Sequence, residues 1–158
     1  MAELCLSGHN PAMSSGPIRR KIKKFSALDG GDRWLLLRAV GWLGIARVML
    51  LLMPFQRLAE RLSAPASDPA PLPDEDVLRR IGFAVAAAAN NVPWRSDCFP
   101  QAIAASRLIK GYGYSSTIHL GVERTGDEGL AGHAWLTCGD NVVTGGADLD
   151  RYAEVHRL

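Results

Sequence analysis

The apolar pattern of the chain is densest from Trp34 to Phe55. Arg38 and Arg47 interrupt it, leaving Ala39 to Ala46 and Val48 to Phe55 as the longest uncharged runs. A bilayer span takes ~20 largely uncharged residues, so two internal arginines argue against a transmembrane segment. Wound at about 100° per residue, Arg33 and Arg47 share one side and Arg38 faces elsewhere. The pattern predicts a helix that is apolar around most of its circumference and lies between a core and a second surface. Peripheral membrane contact is the alternative. Asp32, after Gly30-Gly31, is the expected N-cap, and Pro54 is expected to end or kink the helix before a shorter amphipathic one over Phe55 to Leu62.

A second helix is predicted after Asp74, with Val77, Leu78, Ile81, Val85 and Ala88 at helical spacing and Asn90-Asn91 and Pro93 as its stop. A third runs from Cys98 to Lys110, closed by Gly111. The period then changes to two. Ile118, Leu120 and Val122 alternate within a strand from Tyr114 to Glu123, Leu130 to Cys138 forms a second, and Gly139-Asp140 turns tightly into a third over Asn141 to Thr144. Helices followed by an antiparallel meander of three or more strands define an α+β fold, not a doubly wound sheet. The expected organisation is a disordered tail over 1–16, a helical segment over 17–63, a linker over 64–73 and the main domain over 74–158. The linker holds four of the nine prolines and can bury little.

Composition narrows the picture in a few places. A 47% hydrophobic content excludes wholesale disorder. Eighteen basic against sixteen acidic residues leave a net charge of +2, which does not suggest a nucleic-acid partner. The basic run Pro17 to Lys24 reads as a solvated helix face. Three cysteines, Cys5, Cys98 and Cys138, form no disulfide framework and fit a reducing compartment. Met1 to Gly16 is polar, is broken by Pro11 and carries no secretory signal, so a cytoplasmic location is expected; Met13 is an alternative start.

Cys98 is the first candidate for chemistry. At a helix start, free backbone N–H groups stabilise a thiolate and can hold an oxyanion, whereas the adjacent Asp97 opposes the thiolate unless it caps the helix. The bland alternative is a small buried hydrophobe. His133, in Gly132-His-Ala-Trp135, sits on a strand and shares a face with Trp135 and Thr137. A helix-start thiol and an imidazole on the neighbouring sheet make a nucleophile and base. A third group should orient the imidazole. A two-residue turn at Gly139-Asp140 would pair His133 with Gly146, so glycine stands where the acid belongs; Asp148 and Asp150, just beyond, could fold back, and Asp148 is the expected acid. Zinc held by Cys98, His133 and Cys138 is the competing chemistry, but His133 and Cys138 alternate to opposite faces. His119 is expected to be bland.

Val92-Pro-Trp-Arg-Ser-Asp-Cys98-Phe-Pro-Gln-Ala102, Ser106-Arg-Leu-Ile109, His119-Leu-Gly-Val122, Gly132-His-Ala-Trp-Leu136 and Val142-Val-Thr-Gly-Gly146 together resemble the lasso-peptide maturation B proteins, in their stand-alone peptidase form. The likeness extends into Asp32 to Phe55 and covers about residues 18–155. It implies a transglutaminase/papain-like fold and a cytoplasmic cysteine protease that removes the leader from a ribosomally made precursor peptide. Cys98 then matches the nucleophile and His133 the base, while the family's acid falls on Gly145. The implied partners are the precursor, a separate leader-recognition protein, because the chain has no room for a winged-helix module, and a lasso cyclase of asparagine-synthetase type. No cofactor is implied beyond the ATP dependence of fused family members. The competing functions are a non-catalytic module that presents the leader to the cyclase and an acyl- or amide-transfer enzyme.

Overall fold

The computed structural model describes residues 28–62, 74–125 and 129–158. The expected tail, the basic run and the proline-rich linker lie outside them. Helix α1 spans Gly30–Leu52 and α2 Phe55–Leu62, separated by Pro54 as expected. The N-cap of α1 is Asp29, not Asp32: its side chain accepts from the Asp32 N–H at 2.7 Å. Two glycines in the first turn do not prevent helix formation there, because the cap satisfies one of the orphan donors. Asp32 instead binds Arg80 at 2.6 Å.

Helix α3 (Glu75–Ala89) starts at the predicted cap, with Asp74 accepting from the Asp76 N–H at 2.9 Å. Helix α4 covers Cys98–Gly111. Strands β1 (Thr117–Thr125), β2 (Gly129–Cys138) and β3 (Asn141–Thr144) follow, then a 3-10 turn over Leu149–Arg151 and strand β4, Ala153–Arg157. The sheet is antiparallel with the order β3-β2-β1-β4. The architecture is therefore α+β.

One continuous core forms between the helices and one face of the sheet. Leu35, Ala39, Leu43 and Ala46 of α1 join Leu78, Ile81 and Val85 of α3, Ile103 and Leu108 of α4, and Ile118, Ala134 and Leu136 of the sheet. Helices α3 and α4 lie against the sheet, and α1 packs across both of them. By length and composition α1 could cross a membrane, yet these four residues are buried among the other helices.

Two details of the sheet depart from the sequence pattern. Strand β4 was not expected, because Ala-Glu-Val-His-Arg is short and all five residues are exposed, so no apolar face announces it. The predicted pairing of His133 with Gly146 is also displaced. After Cys138 pairs with Asn141 and Thr137 with Val142, the register shifts so that Leu136 pairs with Thr144. The extra residue is a bulge, which local periodicity does not reveal.

Candidate active site

The loop before α4 is anchored on α1, where the Trp94 indole packs against Gly44. The Gln101 amide donates to the Ser96 carbonyl at 2.7 Å and ties the loop to the helix. Asp97 is the N-cap by backbone geometry, but its side chain makes no cap bond and lies exposed, 3.5 Å from Arg95. The first-turn N–H groups of α4 are thus left uncapped by Asp97, beside a half-buried Cys98. The Phe99 ring lies 5.8 Å from that of Phe55, tilted by 46°, and sets the first turn against α2. Nearby, Trp94 Nε1 and Ser96 Oγ are buried and have no hydrogen-bond partner among the described residues.

His133 leaves β2 on the other face. It alternates with Ala134 and Leu136, which join the helix-side core, so its ring projects away from α3 and α4. There it lies 4.7 Å from the Tyr152 ring and 6.2 Å from Trp135, and Trp135 in turn stacks on His119 at 5.2 Å with an interplanar angle of 4°. Gly121 makes room for this stack: a Cβ there would sit 2.8 Å from the Trp135 indole and 3.0 Å from Tyr152. The His133 Nε2 and the Gly145 carbonyl are 2.8 Å apart. A carbonyl can only accept, so Nε2 carries a proton, and in the neutral ring the lone pair is then on Nδ1. The bulge in β3 brings that carbonyl here, and Gly145 reaches it at φ 71°.

Asp148 does not approach the imidazole through a hydrogen bond. It occupies a left-handed turn position (φ 54°), is exposed, and starts the Leu149–Arg151 turn without a side-chain bond. Cys138 is buried in the core, donates to the Ser115 carbonyl at 3.1 Å, and has its pKa raised by burial. Among the described residues no group of three or more His, Cys, Asp or Glu side chains is placed to hold a metal ion.

Cys98 and His133 stand on elements joined by one side-chain contact. Ser106 of α4 bonds Ser116, just before β1, at 3.1 Å. From that bond Cys98 lies about 12 Å back along the helix, and Gly121 about 16 Å on along β1. Gly121 is the partner of His133 across the β1–β2 ladder. No hydrogen bond joins the two candidate groups; Cys98 packs on the helix side and His133 on the opposite face. A cleft of about 510 Å³ between α3 and β3, lined by Glu75, Leu78, Phe83 and Val142, includes neither of them.

Sequence reasoning missed the Gly145 carbonyl, Tyr152, and the His119 network. His119 is nearly buried and binds Glu154 at 3.0 Å and Thr137 at 2.9 Å. No sequence signal marks Tyr152, which comes to His133 only because β4 folds back beside β1.

The described residues form an α+β domain in which a helix-start cysteine packs over one face of an antiparallel sheet and a histidine stands on the other. Residues 41–157 match the transglutaminase-like superfamily, and the chain belongs to it. That superfamily includes cysteine proteases. No curated protein and no solved structure shows significant similarity to the chain.

Proposed function

We propose that this chain is a cysteine protease that cleaves the leader from a lasso-peptide precursor. The observation that carries the reading is the hydrogen bond from His133 to the Gly145 carbonyl, because it leaves Nδ1 as the proton acceptor. In the reaction, Nδ1 takes the Cys98 thiol proton and the thiolate attacks the scissile carbonyl. The Cys98 backbone N–H, in the uncapped first turn, donates to the oxyanion. The imidazolium returns the proton to the departing amine, and water then releases the thioester. The step requires the first turn of α4 and His133 to be drawn together when the peptide binds, since the free chain makes no such contact. Amide hydrolysis is downhill, so none of these steps draws on ATP. The resemblance to the stand-alone lasso peptidases supports a cytoplasmic setting, a separate leader-recognition protein and a downstream cyclase of asparagine-synthetase type.

The experiment is cleavage of a precursor followed by mass spectrometry. Cys98→Ala should abolish cleavage, a loss of at least about 1,000-fold for a covalent nucleophile, with an unchanged circular-dichroism spectrum. Retained cleavage refutes the assignment, and a product mass without added water indicates transfer. A second reading, a non-catalytic module that presents the leader, is favoured by the separation of Cys98 from His133 and by a carbonyl standing where an acid belongs. It requires that precursor binding survive in Cys98→Ala and that the wild-type chain never cleave.

A further inference from the structure

Helix α1 buries one face and leaves the other bare. Leu35, Ala39, Leu43 and Ala46 are in the core, while Trp34, Leu37, Ile45, Val48 and Leu52 are exposed, Trp34 at 64% and Leu52 at 78%. These five, with Gly41, recur every three or four residues and form a single stripe about 27 Å long. The stripe carries no hydrogen-bonding side chain except the Trp34 indole at one end. A protein partner would ordinarily meet a mixture of apolar and polar groups, whereas hydrocarbon asks for none.

The borders of the stripe decide its partner. By helical angle Arg33 and Arg47 flank one side, while Arg38, toward the other, lays its guanidinium against Gly111 at the end of α4. The single acidic residue of the helix, Asp32, is turned to α3 and paired with Arg80 at 2.6 Å. An apolar face with Arg33 and Arg47 along one side and a tryptophan at its end matches the chemistry of an anionic bilayer surface.

We infer that the exposed stripe of α1 docks this protein on anionic membranes, with the helix lying in the plane of the surface. The helix does not have to leave the protein to do so, because its opposite face stays in the core. The layers run membrane, α1, then α3 and α4, then the sheet, so His133 and Tyr152 face away from the lipid and remain open to a peptide. The inference does not depend on the proposed protease activity.

The test is co-sedimentation of the full chain with phosphatidylglycerol–phosphatidylcholine vesicles and with phosphatidylcholine alone. The wild type should pellet with the anionic vesicles, less so with added salt, and remain in solution with the neutral ones. Leu37→Glu combined with Val48→Glu should weaken binding at least about 10-fold. Both positions are exposed, so the fold should hold, as circular dichroism will show. Should the pair unfold, Arg33→Glu with Arg47→Glu serves instead and should also weaken binding to anionic vesicles. Phe83→Glu, on an exposed site of α3 by the β3 cleft, should bind as wild type does. A wild-type chain that stays in solution with anionic vesicles, pellets equally with neutral ones, or pellets undiminished after these stripe or rim substitutions overturns the inference.

Discussion

At the scale of single residues, the orientation of His133 rests on one backbone carbonyl. Gly145 delivers it at φ 71°, and a Cβ at that position would sit 2.5 Å from the Ala134 carbonyl oxygen and 3.0 Å from the Trp135 Cα. Both the dihedral and the space demand glycine. Gly145→Ala should therefore cost about 2 kcal/mol or more in urea denaturation, and it should weaken any His133-dependent cleavage beyond what the stability loss explains. A fully stable variant would mean that the turn relaxes without penalty. The same two facts explain what was hidden at this scale. Cys98 and His133 could be picked out by their neighbours along the chain, but which carbonyl meets the imidazole depends on a bulge and a positive φ. Asp148 lies close in sequence, yet its left-handed turn leaves the carboxylate in solvent.

At the scale of elements, β4 is the clearest case of structure held by side chains rather than by an apolar face. Glu154 binds Arg157 through both carboxylate oxygens and reaches across to His119. The Arg157 hydrogen bond first, then that of His119, pulls the Glu154 carboxyl down from its usual 4.5 to about 2. A depressed carboxylate pKa contributes stability above the unfolded value that is lost as pH falls through the folded one. The wild type should thus be more stable than Glu154→Gln at neutral pH, and the gap should close between pH 4.5 and about 2. Thermal melts of the two proteins at several pH values measure this; a gap that does not change with pH would show that Glu154 does not hold the strand by charge. The N-cap of α1 teaches a related lesson. Asp29 and Asp32 are both good caps by residue type, and Arg80, brought close by α3, accounts for the role of Asp32.

At the scale of the whole molecule, the core crosses the proline-rich stretch. Residues of α1 are packed with those of α3, α4 and the sheet in one cluster, and the family match begins at residue 41, inside α1. Leu43 is fully buried in that cluster. Leu43→Ala should destabilise the protein by about 2–5 kcal/mol, and wild type and variant should each unfold in one cooperative transition that includes the sheet. A second, separate transition would mean that α1 folds as an independent unit.

Hydrophobic period by itself determined the helices, the first three strands and the α+β class, because each reflects which side chains a local element must hide from water. Residue context singled out Cys98 and His133, since a thiol at a helix start and an imidazole among small neighbours are local features. Only the tertiary structure decided the register past the β3 bulge, the return of β4, the carbonyl that orients His133 and the face of the sheet it occupies. Those depend on contacts between segments far apart in the chain, and no window of sequence contains both partners.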